Sequence, residues 1–119
     1  MRYSFRAMFR KDKTLETTYI DKIVGHYELN SFPGCNQIVV SNHSCIYDEY
    51  RGMGLGKRLA DEKIEKAKSE GYDYMIAIVV STNEPQLRIM EKNGWKLLDG
   101  FNNRESGNEV HIFGRRLSE

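Results

Sequence analysis

The chain has 119 residues, 39% of them hydrophobic and 11% aromatic, which is enough for the core of one compact domain and too little for several. Eighteen basic side chains nearly cancel seventeen acidic ones, leaving a net charge of +1, so no long-range field draws the protein toward nucleic acid or a membrane surface. The longest apolar run, Met75 to Val80, is far too short to span a bilayer, and Arg2, Arg6 and Arg10 break up any signal-peptide-like segment.

Residues Arg2 to Phe9 alternate, with Tyr3, Phe5, Ala7 and Phe9 on one side, which predicts a half-buried strand. Lys11 to Thr14 is polar. Asp12 or Thr14 is placed to cap a helix carrying Leu15, Tyr19, Ile20 and Ile23 at helical spacing and ending at Gly25. His26 to Leu29 reads as a short strand, and Ser31 to Gly34 as a turn containing Pro33. Gln37 to Tyr47 is extended in character, with a bulge or turn at Asn42. Cys35 and Cys45 are expected as free thiols in a reducing cytoplasm, because nothing in the sequence reads as a secretory signal. No Cys/His cluster has the spacing of a zinc site, so no metal is expected.

The run Tyr50-Arg-Gly-Met-Gly-Leu-Gly-Lys-Arg-Leu59 carries the most information. Arg51, Gly54 and Gly56 fit the spacing [Q/R]-x-x-G-x-[G/A], between an extended stretch and a helical one. A glycine turn that opens a helix presents unpaired N–H groups and the positive end of the helix dipole, and glycine lets an anion approach the backbone closely. The run is no Walker loop, because Lys57 is followed by Arg58, and it lacks the G-x-G-x-x-G of a dinucleotide fold. A tight strand-to-helix turn with no ligand is the alternative reading.

Beyond it, Leu55, Leu59, Ala60, Ile64 and Ala67 line one face of a helix reaching about Glu70, with Gly71 as its C′ residue. Tyr74 to Val80 is short, continuous and β-branched, which predicts a strand buried on both faces. Asn83 to Asn93 predicts a second helix, capped by Thr82 or Asn83, with Pro85 in its first turn and Leu87 and Met90 facing inward. Trp95 to Phe101 and Glu109 to Leu117 predict two last strands around a polar loop, Asn102 to Asn108. The order gives a mixed α/β fold, a mixed sheet covered by helices, as one domain over residues 1–119.

Three of these pieces together resemble the GCN5-related N-acetyltransferase (GNAT) superfamily, over roughly Ser44 to Phe101. They are Ile46-Tyr-Asp-Glu-Tyr50 leading into the Arg51–Gly56 turn, the strand Tyr74–Val80, and Asn83 with Pro85 to Trp95 ending Met-Glu-Lys-Asn-Gly-Trp. The resemblance implies a central, mostly antiparallel sheet with one splayed parallel strand pair, flanked by helices. It implies acetyl-CoA as cosubstrate, with its pyrophosphate on the amides of Arg51, Gly52, Met53, Gly54, Leu55, Gly56 and Lys57. It further implies that backbone at Cys45 and Ile46 pairs with the pantetheine arm, and that Asn83 hydrogen-bonds that arm. Capping the helix is the other reading of Asn83. The implied reaction moves an acetyl group to a primary amine of a small molecule or protein, with no nucleic acid and no membrane as partner.

Departures from the family pattern bear on catalysis. Met90 occupies the place where many members have a tyrosine that protonates the leaving thiolate; core packing is its plainer reading. The places around Val40 and Ile78, where related enzymes carry carboxylate bases, are apolar. Candidate catalytic groups are then His43, Tyr47, Glu49 and Glu84, although a solvated side chain for His43 and service to the helix dipole for Glu84 are the simpler readings. Only one convincing helix precedes the glycine turn where two are common, so the acceptor pocket is either open or completed by a second subunit in a homodimer. The alternatives are a catalytically weak or inactive acyl-CoA-binding module, a nucleic-acid-modifying transferase, and an α/β domain whose glycine turn is structural only.

Overall fold

The computed structural model describes residues 3–9, 14–16 and 22–118. Within them seven strands form one sheet: β1 (Tyr3–Phe9), β2 (Thr14–Glu16), β3 (Lys22–Phe32), β4 (Cys35–Ile46), β5 (Tyr74–Val80), β6 (Lys96–Asn102) and β7 (Glu109–Arg116), in the order β2-β1-β3-β4-β5-β7-β6. Two helices, α1 (Leu55–Ser69) and α2 (Glu84–Lys92), pack on it. Most pairings are antiparallel, with β4 and β5 parallel in the middle, so the mixed α/β architecture is as expected. β1 and β3 make a second parallel pair. Strand direction follows from the connection between strands, which residue alternation does not encode.

The apolar stripe of α1 is buried as its spacing requires: Leu55, Leu59, Ala60, Ile64 and Ala67 all face the sheet. Its end is a complete Schellman motif. Gly71, at φ 89°, donates to the Lys68 carbonyl at 3.0 Å, and the Tyr72 amide donates to the Ala67 carbonyl at 3.2 Å. At the start of α2, Asn83 is the cap, its Oδ1 accepting from the Gln86 amide at 3.4 Å, with Pro85 in the first turn. Met75, Ala77 and Val79 of β5 are buried beneath the two helices. α1 covers a cluster with Val24, Tyr27, Leu29, Val39 and Met75, α2 covers a smaller one with Ala77, Val79 and Phe113, and Trp95 packs against both.

Two expectations are corrected. β5 is not buried on both faces: both helices lie on its Met75/Ala77/Val79 side, which leaves Ile78 56% exposed on the other. The helix expected between Lys11 and Gly25 is not found in the described part of that stretch. Thr14 and Leu15 lie in β2, and Ile23 and Gly25 lie inside β3, which also extends the expected His26–Leu29 strand at both ends. Asp12, Tyr19 and Ile20 fall outside the described residues. The helical spacing competes here with a run that also suits a strand, Ile23-Val24 and Tyr27, and sheet pairing on both sides of β3 decides the outcome. Among the described residues, no helix is long and apolar enough to cross a membrane.

Gly25 is not a helix terminator but a point of close strand approach. It pairs with Ile46, and a Cβ on it would overlap the Cys45 carbonyl oxygen. Because that neighbour is backbone, it has no rotamer by which to move aside. The Gly25→Ala variant is expected to lose about 3 kcal/mol of stability or more, read as a lower denaturation midpoint in urea.

Candidate functional site

β4 and β5 pair over only four residues each, from Ile38 opposite Tyr74 to Ser41 opposite Ala77. Both strands run on past that point, β4 to Ile46 and β5 to Val80, without pairing to each other. Each is held by its outer neighbour: Gly25 of β3 stays opposite Ile46, and Val110 of β7 stays opposite Val80. The pair is therefore splayed and cannot close by drift of either strand. The expected irregularity near Asn42 is present. Asn42 lies opposite Glu28 and Cys45 opposite His26, so β4 carries one residue more than β3 over this stretch, a bulge at His43–Ser44.

Past β4 the chain makes one turn of 3-10 helix, Asp48–Tyr50, and enters the glycine run. The Arg51 side chain folds back, its Nε donating to the Ile46 carbonyl at 3.1 Å and lying 3.3 Å from the Asp48 carboxylate. Gly52 and Gly54 have φ of 80° and 75°, a left-handed turn that L side chains rarely adopt. Gly54 is the N-cap of α1 and supplies no capping side chain, and the first turn holds no acid. The first amides of α1 therefore have no side-chain acceptor and point their donors and the helix dipole at the mouth of the splay.

A cavity of about 460 Å³ joins these parts. Ser44, Cys45 and Ile46 of β4 form one wall, Arg51, Gly52, Gly54 and Gly56 another, and Asn83, Pro85 and Gln86 at the start of α2 a third. Of the residues singled out in the sequence, Cys45, Ile46, Arg51, Gly52, Gly54, Leu55, Gly56 and Asn83 line it. Met53 is exposed, and Lys57 points along α1 toward Asp61 at 3.5 Å. Asn83 caps α2 through Oδ1, as one of its two readings has it, and it also lines the cavity with Nδ2 as its remaining donor.

Of the catalytic candidates, Tyr47, Glu49 and Glu84 do not line the cavity. The Tyr47 ring is tilted against His26, at 5.7 Å between centroids. Glu49 is exposed in the 3-10 turn. Glu84 is exposed in the first turn of α2, its carboxylate 4.0 Å from Arg88. His43 sits in the bulge of β4. Met90 is 2% exposed among Ala77, Val79 and Phe113, and is a core residue.

The sequence reading passed over Lys63. It lies on the buried stripe of α1, 8% exposed, and lines the cavity together with Gly56 and Ala60 of the same helix face. Its Nζ donates to Ser44 Oγ at 2.9 Å. Burial pushes its pKa down from 10.5 to about 8. The signal was available: a lysine at i+4 from Leu59 and i+7 from Gly56 falls on the apolar face, where a charged residue is out of place.

Residues 3–95 match the family model for the Acetyltransferase (GNAT) family, and the chain belongs to that family. YwnH of Bacillus subtilis (strain 168), which bears the name of a phosphinothricin acetyltransferase, is 31% identical over 77 residues, covering 61% of this chain and 47% of that protein. A solved phosphinothricin N-acetyltransferase superposes with a TM-score of 0.74 at 24% identity, over 88% of this chain and 67% of that one. The acetyltransferase YncA of Salmonella typhimurium, solved with its cofactor acetyl-CoA, gives 0.73 at 19% identity, over 88% and 64%. At these identities the structural likeness establishes the fold. The chain spans between a third and a half of the length of the curated relatives it matches.

Burying Lys63 has a stability consequence whose sign is fixed. The unfolded chain holds the lysine proton up to about pH 10.5 and the folded chain only to about 8, so the burial penalty is complete below pH 8 and fades as pH rises between the two values. The size is about 3 kcal/mol. Lys63→Met keeps an unbranched side chain and removes the charge. The variant is expected to be more stable than the parent at pH 7, with the gain shrinking toward pH 10, as measured by urea denaturation across that range.

Proposed function

We propose that the protein is an acetyl-CoA-dependent N-acetyltransferase that moves the acetyl group from the thioester to a primary amine of a small molecule or protein. The observation that carries the reading is the meeting of a splayed parallel strand pair and an uncapped, acid-free helix N-terminus in one cavity. The pyrophosphate fits the amides from Gly52 to Lys57; the Arg51 amide, expected to join them, already donates to the Asp48 carbonyl at 3.2 Å. The pantetheine arm is peptide-like and extended, and it would lie as a substitute strand along the edge of β4 that has parted from β5, at Cys45 and Ile46, where the Ile46 carbonyl already accepts from Arg51 Nε, with Asn83 Nδ2 as a further donor to it. Family membership and the acetyl-CoA complex of YncA support the same cosubstrate. We read residues 1–119 as one such domain, on the strength of the single continuous sheet.

In the reaction the acceptor nitrogen loses a proton and attacks the thioester carbonyl. The oxyanion that forms takes a backbone N–H near Ile46. Among the described residues, no Asp or Glu lines the cavity, and Met90 has no proton to give, so positioning and water carry the proton transfers. A thiol ionises at about pH 8.5, so the thiolate leaves without a dedicated acid. For location we favour a reducing cytoplasm. Cys35 and Cys45 are free, and ten residues apart on one strand they stand about 30 Å from each other, far beyond bridging distance. The acceptor side is either open or completed by a second subunit in a homodimer.

The same observations on Met90 and the missing carboxylates favour, as the second reading, a module that binds the thioester without turnover. Free-thiol release with acetyl-CoA and a panel of amines decides between them. Release with at least one amine supports the enzyme; thermal stabilisation by acetyl-CoA with no release for any amine supports the module.

Gly56 tests the site itself. Its φ is ordinary, and a Cβ there would meet Ile89 Cδ1 at 3.5 Å, a normal contact, while larger substituents would enter the cavity. Gly56→Val is expected to keep its melting temperature within a few degrees and to lose about tenfold or more in acetyl-CoA affinity by calorimetry. An equal fall in both would count against the assignment.

A further inference from the structure

Lys63 takes no part in the reaction outlined above, yet among the described residues it is the one amine on the wall of the cavity. Three observations converge on it. The nitrogen is inside the fold, on the face of α1 that carries Gly56 and Ala60 toward the cavity. Its hydrogen-bond acceptor, Ser44 Oγ, belongs to the bulge of β4, in the stretch where β4 has already parted from β5. The amine therefore stands beside the strand edge that the thioester arm would follow. Finally, no carboxylate among the described residues lines the cavity to hold an ammonium ion there, and burial lowers the amine's pKa to about 8. About one molecule in ten then carries the neutral amine at pH 7.

We propose that Lys63 Nζ is itself an acyl acceptor, a self-modification site supplied by the coenzyme A thioester in the same cavity. The inference rests on the assignment of that cavity to acetyl-CoA. The neutral Nζ adds to the thioester carbonyl carbon and a C–N bond forms. The tetrahedral adduct collapses, the C–S bond breaks, and its electron pair leaves on sulfur. The proton shed by the nitrogen ends on that thiolate, giving free coenzyme A and an uncharged acetyl-lysine. Ser44 fixes the nitrogen by accepting one of its N–H groups, which leaves the lone pair free to face the cavity. Holding both reactants in one cavity makes the step intramolecular, and this separates Lys63 from the lysines on the surface. Lys57 and Lys68, whose side chains are 70% and 41% exposed, serve as internal references for ordinary chemical acetylation.

The test incubates the whole protein with isotope-labelled acetyl-CoA and maps the label by peptide mass spectrometry, with acetyl-CoA affinity measured alongside by calorimetry. The expected result is label on Lys63, arriving about tenfold or more faster than on Lys57 and Lys68, at a rate per molecule unchanged by dilution. Lys63→Arg, which keeps the charge and the reach to Ser44, is expected to bind acetyl-CoA and take no label at that position. Binding with Lys63 unlabelled, or labelled no faster than Lys57 and Lys68, overturns the inference and leaves the coenzyme assignment standing. A rate that falls on dilution marks transfer between molecules and overturns it as well. Absence of binding in the parent protein removes both.

Discussion

The site depends on one interruption, the end of pairing between β4 and β5 after Ser41 and Ala77. A sheet does not open in its middle without cause, because each unpaired buried N–H or carbonyl costs about 1–3 kcal/mol. Here the opening is held from outside. β3 grips β4 as far as Ile46, and β7 grips β5 along its whole length, so neither strand is free to swing across. Gly25 tightens the first of these grips, since only a residue without a side chain lets β3 lie so close to the Cys45 carbonyl. The bulge at His43–Ser44 does the rest, turning Ser44 toward α1 where an unbroken alternation would not. The result is a sheet short of one strand, and an extended, amide-bearing ligand is the natural filler.

The glycine turn offers an anion fixed backbone donors, and the basic side chains beside it are turned to other partners. Arg51 is folded onto the Ile46 carbonyl and Asp48, Lys57 lies along α1 toward Asp61, and Arg58 sits over the Phe5 ring at 5.7 Å. Each of the three basic groups nearest the turn is thus engaged with the protein itself. At the turn itself the cavity meets backbone: Gly52 and Gly54 in the left-handed region, and the uncapped start of α1 behind them. Fixed amides need no reordering to receive an anion, whereas a long cationic side chain loses rotamer freedom on doing so.

The parts of this arrangement that sequence revealed are those built from local signals. α1, the Gly71 terminus, the Asn83 cap and β5 each follow from spacing or from one residue's conformational preference within a few positions. So does the bulge near Asn42. The N-terminal third resisted the same reasoning, because Leu15 and Ile23 satisfy a helical spacing while pairing to neighbours on either side makes β2 and β3 strands. The exposure of Ile78 was equally out of reach. A run of apolar residues announces a strand but not how many of its faces will be covered, and here both helices chose one. Lys63 was legible and was missed, since a helix stripe is read by its apolar members and the one charged intruder is easily assigned to solvent.

That intruder is where stability and chemistry pull apart. Domains of this size are stable by only about 5–15 kcal/mol, so a buried amine costing about 3 kcal/mol at neutral pH is a large concession, and an apolar residue of similar length would fill the place better. The penalty arises from the charge rather than from the volume of the side chain. Whatever removes the charge relieves it, and acylation of Nζ removes it permanently, while the amide N–H can still donate to Ser44. The desolvation that weakens the hold on the proton therefore also favours the neutral acyl-lysine over the ammonium form. Burial of Lys63 thus acts in one direction on both counts: it raises the share of neutral amine and would stabilise an acylated one.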